Sequence, residues 1–262
     1  MTPTTSTVIS YPWQPDSTKT ALRAIGDLGV GLMADLKSQR GIHTETLMVV
    51  TGALAGFAAQ NAALNTIVAR KASIKPGSLA IAQPKAGGIF LFGDAINSFL
   101  YPEAGSVLPL AVLVGGAALN AGAKQEELPN LGEITAHVSS VVGTPDFGKL
   151  RVPPGVAPQL EPLAALFKFW PQTLKILARP PIKRLFRRQE APLQEIHWPI
   201  ILGLVASQFI KMSQNALHAR VSATLVMESA VITSKVDPES IEPGKWRIPT
   251  SEGDPPVARL RP

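Results

Sequence analysis

Along the chain the apolar positions recur at three and four residues far more often than at two, a period that marks helix rather than strand. Leu22, Ile25, Leu28, Leu32 and Leu36 form the first such row, with Asp16 or Ser17 placed to cap its start and Gly41 placed to close it. Gly26, Gly29 and Gly31 lie inside this row, and each costs about 1 kcal/mol against alanine. The expectation is a neighbouring helix whose backbone comes close at these glycines.

A second helix is predicted from the Thr44 cap to about Ala69, with Glu45 in its first turn and Arg70 and Lys71 at its far end, matching the helix dipole. Thr46 to Ala69 carries no charge, and Gly52, Ala55, Gly56, Ala59 and Ala63 put small residues on one side. Such a helix is buried nearly all round. After Lys75-Pro76-Gly77, two short apolar runs, Leu79 to Ala82 and Ile89 to Phe92, make the only strand candidate, a small β-hairpin at about 79–92. Asp94 opens a short helix that Pro102 stops. Ala104 to Ala123 is again uncharged and predicts a small-residue helix with Pro109 near its start, and Leu131 to Val142 predicts another short one.

Pro145 to Pro158 is rich in proline and glycine without an apolar period, and reads as a linker. Beyond it, Leu160, Leu163, Phe167 and Trp170 form one stripe and Leu174 and Leu177 another, before Pro180-Pro181 interrupts. A long helix is then predicted from about Pro192, or from Pro199, to about Lys235. Its seam is Val205, Phe209, Met212, Ala216, Ala219, Ala223, Val226 and Ala230. The fold class that follows is mainly α, a multi-helix bundle with a long C-terminal helix, one small hairpin and extended proline-rich termini. Its parts are an N-terminal arm at 1–16, a small-residue helical region at 17–144, the linker at 145–158, a basic amphipathic segment with the long helix at 159–236, and a coil tail at 237–262. Trp246 and Ile248 are the tail's apolar anchors.

Composition sharpens this picture. With 45% hydrophobic residues the 262-residue chain can bury a sizeable core, yet only 17% of it is charged and its mean hydropathy is +0.17. A surface so poor in charge implies a cover, which would be a partner, a second copy of the chain, or lipid. The absence of cysteine excludes disulfides, thiolate metal sites and a cysteine nucleophile. Residues 1–16 have neither the basic nor the apolar region of a secretory signal, so a cytoplasmic location is expected, with membrane association as the alternative.

The formal charge of +6 has one source. Between Glu161 and Glu190 stand Lys168, Lys175, Arg179, Lys183, Arg184, Arg187 and Arg188 with no acid among them; setting these seven aside leaves 18 of the 25 basic residues against 19 acidic ones. This is a local patch, unlike the general basic coat of a nonspecific nucleic-acid binder. Ile182, Leu185 and Phe186 beside the cations suit lipid headgroups or an acidic protein groove better than DNA. The seven cations are therefore the candidate contact surface, for a protein partner or an anionic membrane surface.

Gly52-Ala-Leu-Ala-Gly56 has the spacing that lets helix backbones touch, in a bilayer or in a tight bundle. Against a transmembrane reading, Gln60, Asn61 and Asn65 interrupt the first uncharged stretch and Pro109 the second. Basic residues also flank the first stretch on both sides, which gives no positive-inside asymmetry.

Catalytic and cofactor signatures are missing. His43 with Glu45 and His197 with Glu195 are two apart, and a helix does not bring such pairs onto one face, so no metal site and no cofactor is implied. Gly87-Gly88 and Gly115-Gly116 lack the pattern of a phosphate loop, and no serine sits in a nucleophile elbow. His218 shares a polar row with Gln208, Lys211, Gln214, Asn215 and Ser222, which reads as a solvated face; were it instead a cavity lining, His218 would be the first catalytic candidate. The expected function is a non-enzymatic helical interaction or assembly protein that self-associates through small-residue helix faces and the C-terminal seam. The alternatives are membrane association through 168–188 or the uncharged helices, and an enzyme with a site near His218.

Overall fold

The computed structural model describes residues 12–13, 15–70, 78–85, 87–102, 108–153, 155–180 and 190–245. Among them the chain is mainly helical: α1 (Thr18–Leu36), α2 (Thr44–Arg70), α3 (Asp94–Leu100), α4 (Leu110–Asn120), α5 (Leu131–Val141), α6 (Pro162–Leu177), α7 (Trp198–Met212), α8 (Ala219–Thr233) and the one-turn α9 (Pro238–Ile241). Two antiparallel hairpins complete it, β1 (Lys37–Ser38) with β2 (Gly41–Ile42), and β3 (Ala80–Ala82) with β4 (Phe90–Phe92).

The uncharged helix α2 is the axis of the bundle. Its segment Thr44–Ile67 is long and apolar enough to cross a membrane, with mean hydropathy 1.5, and its most apolar window is wholly buried by the rest of the chain. α3, α6, α7 and α8 enclose it. The small residues explain how so many helices fit. A Cβ built on Gly52 would lie 2.8 Å from Val226 Cα, and one on Gly56 would lie 2.6 Å from the carbonyl carbon of Ala230 and 2.5 Å from Thr233 Oγ1. Partner positions advance together along the two helices, so α2 and α8 run parallel with backbones touching. Thr233 Oγ1 uses this closeness to donate to the Ala53 carbonyl at 2.8 Å. The small-residue face of α2 therefore meets a helix of its own chain.

The glycines of α1 behave differently. A Cβ at Gly26 would meet nothing within 4 Å, and at Gly29 and Gly31 it would meet only the side-chain ends of Gln208 and Gln172, at 3.9 and 3.8 Å. No backbone approaches them, contrary to expectation. Leu22, placed in the buried row by its spacing, is 48% exposed. α1 also stops at Leu36, because the chain turns extended at Lys37 and folds back as β1 and β2. Gly41, with φ +98°, opens β2 directly after the turn at Gln39-Arg40 rather than capping a helix.

The expected hairpin at 79–92 is present as β3 and β4, in register Ala80↔Phe92, Ile81↔Leu91 and Ala82↔Phe90. Buried Leu91 anchors it, and the Leu91 N–H donates to the Lys235 carbonyl at 2.9 Å.

The single long C-terminal helix does not form. α7 ends at Met212, a turn occupies 213–218, and α8 begins after His218, whose extended backbone and Nδ1 cap the new helix by accepting from the Arg220 N–H at 3.2 Å. Met212 and Ala216, assigned to the seam, are exposed. Ser213, Gln214 and Asn215 favour a turn over helix interior, and the turn happens to keep the apolar residues in phase. The seam's outer parts, around Phe209 and Val226, are buried. Likewise, α6 buries Leu166, Phe169, Trp170, Thr173 and Leu177, while Phe167 is 54% exposed. Helices on either side of 145–158 share one core, which includes Val138 and Leu166 together with α2. At the C-terminal end α9 and a turn to Lys245 replace the first part of the expected coil; Trp246 and Ile248 lie outside the described residues.

Candidate functional site

Three of the seven candidate cations are described. Lys168 and Lys175 stand on the outer face of α6, seven residues and so about two turns apart. The opposite face of α6 is the one packed on the core; Lys168 Nζ lies over the ring of Phe169, 5.1 Å from its centre, and exposed Phe167 stands beside Lys168. Arg179 bonds Asp27 Oδ2 at 2.6 Å and is tied to α1. Lys183, Arg184, Arg187 and Arg188 lie outside the described residues. The chain leaves these at Pro180 and re-enters at Glu190, which pairs with Arg23 at 3.2 Å. Both ends of the basic stretch are thus fastened to α1, at Asp27 and Arg23.

His218 is exposed and spends one ring nitrogen on the α8 cap. His43 sits at the start of α2, 3.3 Å from Glu45 and 3.0 Å from Thr46 Oγ1. His197 meets Trp13 edge to face at 6.5 Å, and burial lowers its pKa. Among the described residues no group of three or more metal-ligating side chains converges.

The structure concentrates its unusual chemistry where the sequence showed only interruptions. Gln60, Asn61 and Asn65 of α2 each reach across the chain. Gln60 Nε2 donates to the carbonyls of Ser234 and Val236 at 3.1 and 2.7 Å. Asn65 Nδ2 donates to Glu195 Oε2. Asn61 Oδ1 accepts from Lys245 Nζ at 3.1 Å. Lys245 also approaches Glu195 at 3.5 Å and Glu242 at 3.3 Å, and lies 5.5 Å from the centre of the Trp198 ring. Two carboxylates therefore share one ammonium in a half-buried recess. Burial pushes the Glu195 carboxyl above its usual range; the Lys245 ammonium pulls it back, and Glu242 adds a smaller push upward.

Two further ionisable groups are fully buried. Glu228 of α8, 1% exposed, accepts from Arg151 Nε at 3.0 Å through one oxygen; the other has no hydrogen-bond partner among the described residues. Lys235, also 1% exposed, follows α8. Its Nζ is 3.5 Å from Asn97 Oδ1 and 5.1 Å from the centre of the Phe92 ring, and among the described residues no carboxylate pairs with it. Burial lowers this ammonium to a pKa of about 8. None of Glu195, Glu228, Lys235 and Lys245 stands in a motif, and their partners are up to 184 residues away. The one visible signal was the run of amides inside an otherwise apolar helix.

No protein-family model matches this chain, and neither a curated protein nor a solved structure matches it.

Proposed function

We propose that this protein is a non-enzymatic helical interaction protein, and that it meets an acidic partner through the outer face of α6 and the basic stretch that follows. The observation that carries this reading is the placement of Lys168 and Lys175 on the exposed side of a helix whose other side is locked in the core. No acid lies between Glu161 and Glu190 to neutralise that side locally. Rigid attachment matters because the backbone that carries these cations is already ordered and has no ordering cost left to meet on binding.

Lipid is the second reading, and exposed Phe167 next to Lys168 favours it, since an aromatic ring beside ammoniums suits the headgroup boundary. A second copy of the chain is a third, and α4 favours it. That helix is uncharged throughout, yet Val112 and Leu119 remain 45% and 38% exposed on its outer side.

Replacing Lys168 and Lys175 together by glutamate tests the first reading. The double variant is expected to keep its melting midpoint to within a few degrees, because exposed charges contribute about 0–1 kcal/mol each. Retention on polyglutamate should fall, and wild-type retention should weaken as salt rises, because exposed charges are screened beyond about 8 Å at physiological ionic strength. Equal retention of the two proteins at low salt would remove α6 as the contact surface. Retention on phosphatidylserine vesicles but not on polyglutamate would transfer the function to lipid. Sedimentation equilibrium reads the self-association separately.

A further inference from the structure

We infer that the recess formed by Asn61, Glu195 and Trp198 is a binding site for a primary alkylammonium group, and that the chain fills it in cis with Lys245. This goes beyond the reading of α6, which it neither uses nor needs.

The receptor side is built from three elements. Asn61 belongs to the buried axis α2 and is itself fully buried; Glu195 stands in the 3-10 turn Glu195–His197; Trp198 is the first residue of α7. Each group is fixed by something other than the lysine. Asn65 donates to the Glu195 carboxylate and orients it. Trp198 is 2% exposed, and its ring lies 6.2 Å from that of Trp170. The three groups offer an amide oxygen at 3.1 Å, a carboxylate oxygen at 3.5 Å and an indole face at 5.5 Å to one ammonium nitrogen. Two acceptors and an aromatic face are what an alkylammonium needs: charge-assisted hydrogen bonds for two of its donors, and a surface of negative quadrupole for the rest of its charge.

The occupant is carried by a short strap. Asp237 caps α9 by accepting from the Glu239 N–H at 3.0 Å, and Gly244, with φ +81°, turns the chain so that its N–H meets Glu239 Oε1 at 2.6 Å. Lys245 follows at the end of that turn. Its side chain is 19% exposed and that of Glu195 27%, so the recess borders solvent. A strap that leaves would uncover a preformed acceptor set at the surface, and an ammonium from a polyamine or from a partner's lysine has the chemistry to replace Lys245. Such a contact is autoinhibitory in form: the chain's own lysine competes with any external one.

Chemical rescue tests this on the full chain. Lys245→Ala should lower the melting midpoint by several degrees. Added n-butylammonium should restore it saturably, while sodium at equal ionic strength should not, and the Trp198 indole N–H resonance should shift along the same titration. Wild type should show no saturable gain, because its own lysine fills the site. Adding Glu195→Gln to Lys245→Ala should diminish the recovery, with Glu242, 3.3 Å from the Lys245 ammonium in the wild type, as the carboxylate that remains. Lys245→Gln, which keeps a polar stem of similar length, carries the same titration if the alanine variant does not fold, and folding of either variant only in the presence of n-butylammonium also counts as recovery. Absence of saturable recovery in both variants, or an undiminished recovery with Glu195→Gln present, overturns the site.

Discussion

Leucine at position 56 is expected to destabilise the protein by at least about 3 kcal/mol, the upper part of the range for overpacking a closed core, and to lower its melting midpoint by roughly 5–10 °C. The reason is the backbone of α8. Even the first carbon of a side chain at Gly56 would fall 2.6 Å from the Ala230 carbonyl carbon, and a backbone cannot rotate aside as a side chain can. Relief requires α2 and α8 to separate, which lengthens the Thr233 to Ala53 hydrogen bond along the same contact. Gly56→Ala should already show part of the loss. Gly26→Ala is the matched control: its Cβ meets nothing within 4 Å, so it should gain up to about 1 kcal/mol from helix propensity alone. Urea unfolding of the three variants reads both signs. Equal behaviour of Gly26→Ala and Gly56→Ala would mean that the α2 and α8 backbones do not touch in solution.

The contrast between those glycines shows what the sequence could carry. A glycine inside a helix carries a cost that a close neighbouring backbone can compensate; a backbone does come close at Gly56, and none does at Gly26. What separates them is the surroundings: α2 has no charge over Thr46–Ala69, whereas α1 has Arg23, Asp27 and Asp35 near its glycines. Charge nearby means solvent nearby, so only the uncharged helix was forced into backbone contact. The starts of α2 and α4 were legible because Thr44 and Pro109 mark them chemically; α5 was placed by its apolar run alone, and the structure adds the cap, with the Asn130 side chain accepting from the Glu133 N–H.

Periodicity failed where the apolar content was too high or too regular. Most residues of α6 are apolar, so several phases fit the pattern, and the stripe of Leu160, Leu163, Phe167 and Trp170 joins buried Trp170 to exposed Phe167. Between α7 and α8 the turn preserves the spacing of Phe209, Met212, Ala216 and Ala219, and a pattern that repeats through a turn cannot reveal it. The recess around Lys245 was invisible for a different reason. Asn61, Glu195 and Lys245 are brought together by the packing of α2 against α7 and the strap, and nothing local to any of them encodes the others.

Replacing Lys235 by methionine is expected to stabilise the protein at about pH 7 by roughly 1–3 kcal/mol, because an ammonium held away from water without a carboxylate carries a desolvation cost that a thioether does not. Lys235 is 1% exposed, and its two neighbours, Asn97 Oδ1 at 3.5 Å and the Phe92 ring, offset little of that cost. The pH dependence fixes the sign. In the folded state the amine titrates at about 8, below its ordinary 10.5, so below about pH 8 both folded and unfolded chains hold the proton and the fold bears the whole cost. As pH rises from about 8 towards 10.5, the folded protein sheds the proton first. The unfolded chain then binds more protons, and stability rises with pH, by about 3 kcal/mol over the window. Tyr101 opposes this at the upper end, since burial raises its pKa and its ionisation disfavours the fold; comparing wild type with Lys235→Met cancels that contribution. Urea unfolding at about pH 7 and about pH 10 should therefore show the variant ahead at the lower pH and the gap largely closed at the higher one. A variant that is less stable at both, with an unchanged difference, would mean that Lys235 is held by a partner strong enough to compensate its charge.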